Sequence, residues 1–522
     1  MGALALSPLE QAYERSGMEF ERIVFFLQSP EAAMKTESEL EREIEKRTRE
    51  LMRMLLQEHI DGRGPGKCVE GVQGADGVER THVRLQNREI ETVFGTVEEN
   101  RSGYGFPGVE SIHPLDAELN LPDERYSLEL RRRVAEQAAG NSFDETLETI
   151  RKTTGGHIEK RQIEELAVRA ARDFDAFYSL RHAEAADRLC NGSILVMSAD
   201  GKGVVMRPED LREHTRKAAE AATQKMGTRL SRGEKKNRKR MATVAAVYTI
   251  MPYVRNPEDL IGKSPFRHDR RPCPEQKRVW ASLEKKPEEV IRHAFEEARH
   301  RDPDGQKTWV ALVDGNRDQI RIFKRVAKEK GVHLTIIVDL IHVIEYLWKA
   351  GRAFHPESGP ELESWVEHRL LEILRGKAGW MAGGMRRSAT RKALSGKARE
   401  PVDICAAYLL NYAPYLRYDR CLAQGLPVAT GVIEGACRHL VKDRMDVTGA
   451  RWSLAGAEAV LRLRALKSSH DFEQYWSFHE ACEYEKNHKN LYASGKVPAI
   501  DAPKRNRRTK KIRKSDHLKV IK

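Results

Sequence analysis

Three acidic residues of this 522-residue chain stand at places where a fold can expose a carboxylate: Asp200, Asp314 and Glu434. Asp200 follows a short apolar run, Ile194 to Met197. The glycines after it, Gly201 and Gly203, predict a tight reversal, with Val204 to Met206 as a returning strand. Asp314 closes WVALV in an Asp-Gly pair, and Glu434 lies near the start of a late helix. Carboxylates are the fitting ligands for magnesium, which prefers hard oxygen donors. Two such ions held about 3.5–4 Å apart clamp the attacking and leaving oxygens of an in-line phosphoryl transfer. Any single Asp-Gly is ordinarily a turn former. The order strand, strand, helix carries the reading.

Two further groups flank this set. Asp339 ends the buried run LTIIV, and His342 lies three residues on, on the same helical face. Asp339 competes with Asp314 for the second metal position, and VDG favours Asp314. A hydrogen-bonded core role for His342 stays open beside a role in ordering the site. Trp452 follows the Glu434 helix in GARW. Its indole could stack an unpaired base or be an ordinary core tryptophan.

The elements that must position these groups can be read from periodicity. From residue 191 onward strands alternate with helices: the Asp200 strand, Met241 to Met251, a helix over Glu284 to His300, Trp309 to Val313, a helix over Asn316 to Lys330, and Leu334 to Val338. Continuous β-branched runs split by helices predict an α/β sheet, parallel in part and covered on both faces. Asp314 and Asp339 both fall at carboxyl ends of strands, the edge where open α/β sheets place their sites. Residues 340–423 read as mostly helical, with Trp365, Leu370, Leu371 and Leu374 on one apolar face and basic residues gathered over Arg386 to Arg399.

Before residue 186 the chain divides into a helical region (1–60) with a near-heptad spacing of Leu40, Ile44, Leu51 and Leu55, a Gly-rich linker with a small β-hairpin (61–110), and a helical region (111–185). In that third segment, short helices joined by AGNS and TTGG fit a helix-turn-helix or a small bundle equally. Arg131 to Arg133 and Arg161 would touch phosphates in the first case.

Basic residues outnumber acidic 91 to 78, a net charge of +13, which suits a polyanionic partner. The excess is clustered in Lys235, Lys236, Arg238, Lys239 and Arg240, and in a C-terminal tail carrying Arg507, Arg508, Lys510 and Lys511. Such runs contact phosphates without reading sequence. The tail past 496 is short of apolar residues and is expected to be disordered without a partner. Seven scattered cysteines without a CxxC speak against a structural zinc site and for a reducing compartment. No basic n-region precedes the short apolar start, and no 18-residue apolar stretch occurs, so neither a signal peptide nor a membrane span is expected.

The stretches SADGKGV, RKRMATVAAVYT, WVALVDGNRDQ, IIVDLIHVIEYLW and TGVIEGACRHLVKDRMDVTGARW, with PLDAELNLP and FDAFY matching more loosely, resemble a bacterial insertion-sequence transposase of the Kra-type group, within the Mutator-like DDE transposases. The likeness covers most of residues 110–490. It implies an RNase H-like catalytic core (186–339 and 424–495) interrupted by an all-α insertion (340–423), a mainly helical N-terminal DNA-binding region, and a basic tail (496–522). By motif the acidic set falls on Asp200, Asp314 and Glu434, holding two Mg²⁺ or Mn²⁺ ions, with Asp339 and His342 in a DxxH unit. The resemblance implies cutting at terminal inverted repeats, joining of 3′-hydroxyl ends to target DNA, assembly of several copies on DNA, and a cytoplasmic, nucleoid-associated location. Two other readings stay open: a metal-dependent nuclease or resolvase on the same core, and a non-catalytic DNA-binding descendant.

Overall fold

The computed structural model describes residues 13–68, 71–183, 192–221, 237–262, 271–355, 357, 359–447 and 449–501. The chain is mixed α/β and forms two units.

The first unit comprises residues 1–134, 145–160 and 477–522. Helix α1 (Glu14–Leu27) is followed by the long α2 (Glu37–Arg63), whose start is fixed by a capping box between Thr36 and Glu39. Strands β1 (His82–Thr92), β2 (Gly95–Phe106) and β3 (Val109–Ile112) form an antiparallel sheet in that order. The predicted hairpin is present, and it turns at Gly95, whose φ of 130° excludes most side chains. Ile60, Ile90 and Val97 pack together beneath it. The expected linker is more ordered than its glycines suggest, since Val72–Gln73 pairs with Glu79–Arg80. Arg131 corrects an expectation. Its side chain is fully buried and ion-paired with Glu124 at 2.6 Å and Glu483 at 3.0 Å, so it has no face to offer a phosphate. A buried arginine persists only when paired in this way.

The second unit comprises residues 135–144 and 161–476. Its centre is a five-stranded sheet of β4 (Ile194–Val205), β5 (Lys239–Ile250), β6 (Glu275–Ser282), β7 (Thr308–Val313) and β8 (Leu334–Val338). The spatial order is β8-β7-β4-β5-β6. Strands β4, β5 and β6 are successively antiparallel, whereas β7 and β8 run parallel to β4. Crossover helices α3 (Pro287–Arg301) and α4 (Arg317–Glu329) link the parallel strands, as parallel pairing requires.

Two expectations are corrected here. The chain does not reverse at Gly201 and Gly203. Both lie inside the continuous β4 ladder, opposite Thr243 and Met241 of β5. A Cβ on Gly203 would stand 2.8 Å from the Lys239 side chain, so this glycine serves a close cross-strand approach rather than a turn. Strand β6 was not expected, because its apolar signal is confined to Val279, Trp280 and Ala281 after a polar start.

Both faces of the sheet are covered. On one, Phe295 of α3 packs against Trp309 and Phe323. On the other, Val244, Ala246, Val279 and Ala281 join one core with Ile433, Leu440, Val460 and Leu461. After β8 come α5 (Leu340–Phe354), α6 (Pro360–Leu374), α7 (Ala378–Arg391), α8 (Gly396–Asn411) and α9 (Tyr418–Ala423). Trp365, Leu370 and Leu374 are buried within this helical segment, as their spacing predicted. Then α10 (Gly431–Ala436) runs on through a wider, π-helical turn at Cys437–Lys442, and α11 (Leu454–Ser468) returns across the sheet. No helix among the described residues is long and apolar enough to cross a membrane.

Candidate metal centre

Register places the acids. Ser198 of β4 is opposite Leu312 of β7, and Val313 is opposite Val338 of β8. Carried forward one or two residues, these ladders set Asp200, Asp314 and Asp339 side by side on three adjacent strands, Asp314 and Asp339 just past the ends of β7 and β8 and Asp200 inside β4, beyond the point where its pairing with β7 stops. Neighbouring strands lie about 4.8 Å apart and in-register side chains share a face. The Asp339 amide still donates to the Val313 carbonyl at 2.8 Å, so the β7–β8 ladder reaches this level.

Helix α10 lies over the row. Cys437 Sγ is 3.1 Å from Asp200 Oδ2. One turn earlier, Glu434 offers a carboxylate oxygen that lies within 4.8 Å of ligand atoms on both Asp339 and His342. Thr430, at the head of the helix, donates its amide to Asp339 Oδ1 at 3.0 Å and faces Glu434 Oε1 at 3.4 Å. Among the described residues, the acids expected to act together, Asp200, Asp314 and Glu434, do not converge as a set to that distance. At this end of the sheet, Asp339, His342 and Glu434 do.

The members of the row differ in what their oxygens already do. Asp339 is fully buried. Its Oδ1 accepts from the amides of Thr430 and Ile341, and its Oδ2 is 3.0 Å from His342 Nδ1. Burial pushes its pKa up, but the bonds from His342, Thr430 and Ile341 outweigh this and hold it below the ordinary carboxylate value. The same bond to Asp339 raises the pKa of His342 against the opposing effect of burial, with Asp314 and Glu345 adding to the rise. With Nδ1 committed, Nε2 is the nitrogen that faces away from Asp339. Asp314 is more open. Its Oδ1 accepts from the Asn316 amide at 2.8 Å, the cap of α4, and Oδ2 has no hydrogen-bond partner among the described residues.

The other predicted groups separate by environment. Trp452 is 5% exposed; it donates to the Met445 carbonyl at 3.1 Å and packs edge-on against Phe143. It is a core residue with no free face for a base, the second of the two readings its sequence position left open. Trp380 of α7 is instead 75% exposed, and Arg387 and Arg391 follow it at helical spacing on the same face. Sequence reasoning missed it because it lies just before the basic stretch of Arg386 to Arg399. Arg240 donates to the carbonyls of Leu283 and Asp210, so it ties strands together rather than meeting solvent alone. Lys239 opens β5, and Arg238 precedes it with its carbonyl accepting from Met206. Lys235, Lys236, Arg507, Arg508, Lys510 and Lys511 lie outside the described residues. On the side of α10 away from the row, a cavity of about 790 Å³ is lined by Gly431, Gly435, His439, Lys277, Arg278 and Arg181 among others.

No protein-family model matches the chain, and no curated protein matches it. Among solved structures, the Drosophila P element transposase strand transfer complex is similar at 8% sequence identity, over 72% of this chain and 84% of that chain, with a TM-score of 0.22. A superposition that loose carries no argument.

Proposed function

We propose that this chain is a DDE-type DNA transposase, of the bacterial insertion-sequence kind that its motifs resemble, built on an RNase H-like core. The observation that carries the reading is the alignment of Asp200, Asp314 and Asp339 on three adjacent strands beneath the helix that bears Glu434. Three antiparallel strands followed by two parallel ones, with an α-helical segment before the last acidic helix, support the same reading.

The donor chemistry fits hard divalent cations. Asp314, Glu434 and Asp200 would hold Mg²⁺ or Mn²⁺, whose chemistry is Lewis-acid activation of an attacking oxygen and stabilisation of the departing one. Around it the chain's own groups divide the work. Asp314 Oδ2 is the open ligand. Asp339 is committed to the backbone and to His342, and it orients the imidazole as second-sphere carboxylates do. Thr430 fixes the head of α10 relative to Asp339. Trp380 with Arg387 and Arg391 offers a ring and two charges that suit an unpaired nucleotide.

The test uses purified protein, Mg²⁺ and DNA carrying the inverted repeats that flank the gene, against a scrambled end. Cleavage with joined strand-transfer products is expected, and Asp200→Asn, Asp314→Asn and Glu434→Gln should each lose it while still binding DNA. Cleavage without joining would instead favour the nuclease or resolvase reading. Binding without cleavage by the wild type would leave only a DNA-binding protein.

A further inference from the structure

We propose that Tyr408, Tyr412 and Tyr418, all from the helical segment between β8 and α10, are positioning residues that fix the strand ends bearing Asp314 and Asp339 in the acidic row. The inference rests on the metal-centre reading given above.

Each phenol donates to a carbonyl at the end of a strand that carries an acid. Tyr408 lies 3.4 Å from the carbonyl of Asp314 itself. Tyr412 bonds the carbonyl of Gly315, the next residue. Tyr418 reaches the carbonyl of Val338, immediately before Asp339, at 2.7 Å and with its side chain fully buried. Carbonyls at a strand end have lost their ladder partners and must find others when buried. Water or a nearby helix could satisfy them. Here the partners come from 80 to 97 positions away in sequence.

The ring packing makes the brace stiff. Tyr408 stacks on Tyr346 with centroids 4.2 Å apart, and Tyr412 lies 4.7 Å from Tyr408. Tyr346 sits one helical turn beyond His342 on α5, so one aromatic cluster braces both the Asp314 turn and the Asp339–His342 pair. Gly315 makes room for it: its φ is 95°, and a Cβ there would stand 2.9 Å from the Tyr408 hydroxyl. Burial, then the neighbouring Tyr346, Tyr412, Asp314 and Asp339, push the Tyr408 pKa above that of a free phenol, so it remains a donor at neutral pH. Tyr418 is shifted the same way by its burial.

Outer groups of this kind ordinarily change metal affinity by about 10–100-fold when removed. The experiment titrates Mn²⁺ by electron paramagnetic resonance and calorimetry into the full-length wild type, Asp314→Asn, the double variant Tyr408→Phe/Tyr412→Phe, and Tyr415→Phe as a control whose ring carries Lys324. Expected are tight binding by the wild type and the control, loss in Asp314→Asn, and about 10-fold weaker binding in the double variant with cooperative unfolding retained. Wild-type affinity in the double variant would overturn the positioning role alone. Failure of the wild type to bind Mn²⁺ would overturn the metal centre and this inference with it. If the double variant does not unfold cooperatively, Tyr412→Phe is read in the same titration by the same criteria.

Discussion

The thiol of Cys437 lies 3.1 Å from Asp200 Oδ2, joining the last acidic helix to the first acidic strand across 237 positions of sequence. Burial, then the adjacent Asp200 carboxylate, raise the pKa of this thiol well above its usual value. The thiolate is the reactive form, and Cys437 is 5% exposed while Cys273 is open to solvent. Iodoacetamide at pH 8 should therefore label Cys273 long before Cys437, read by peptide mass spectrometry on the native protein. Equal rates would mean that α10 does not close over Asp200.

Asp339 and Asp314 share the row but not the same duties. Asp339 caps α5, accepts from the Thr430 amide and pairs with His342. Removing a buried acceptor with several partners costs about 3 kcal/mol, whereas loss of an open carboxylate costs within about 0.5 kcal/mol. Urea unfolding of Asp339→Ala and Asp314→Ala should show this contrast. Equal stabilities would argue that Asp339 is no more than a surface ligand.

The two tryptophans give opposite expectations. Trp452→Ala should destabilise the fold by about 3–5 kcal/mol, as truncation of a core aromatic does, because Trp452 is enclosed by Phe143, Arg444 and the Met445 carbonyl. Trp380→Ala should leave the melting temperature nearly unchanged and weaken binding of single-stranded DNA. Thermal melts and fluorescence anisotropy measure the two effects. Reversed outcomes would return the base-stacking role to Trp452.

A pH dependence follows from the first unit. His113 is held neutral at the end of β3, its Nε2 2.7 Å from Gln86 Oε1. Burial, then Arg101 and Arg88, lower its pKa to about 4 from the 6.5 of a free imidazole. Between those values the unfolded chain binds a proton that the folded chain does not. Stability is therefore complete above pH 6.5 and falls as the pH drops toward 4, by about 1–2 kcal/mol after allowance for the ring's partial exposure. His113→Gln should flatten that part of the denaturant midpoint against pH. An unchanged slope in the variant would assign the acid sensitivity elsewhere.

Much of the fold was legible because burial leaves a periodic mark. β-branched runs gave β5, β7 and β8, amphipathic spacing gave α3 and α4, and Gly95 marked a real hairpin turn. The errors share one cause. Gly201 and Gly203 read as a turn because a glycine shows its lack of a side chain, not which neighbour needs the space. Strand β6 has too little apolar sequence to announce itself, and it is defined by pairing with β5. Arg131 and Trp452 carry chemistry suited to DNA, but the residues packed around each had already claimed it.

The sequence by itself determined which residues can do the chemistry, since a carboxylate at a strand end or an Asp-x-x-His on a helix is a local property of the chain. Only the tertiary structure decided which of them meet. Strand order and register set Asp200, Asp314 and Asp339 side by side, and the path of α10 brings Glu434 to Asp339 and His342 first. Those distances depend on contacts between segments as far as 237 positions apart, and no local pattern encodes them.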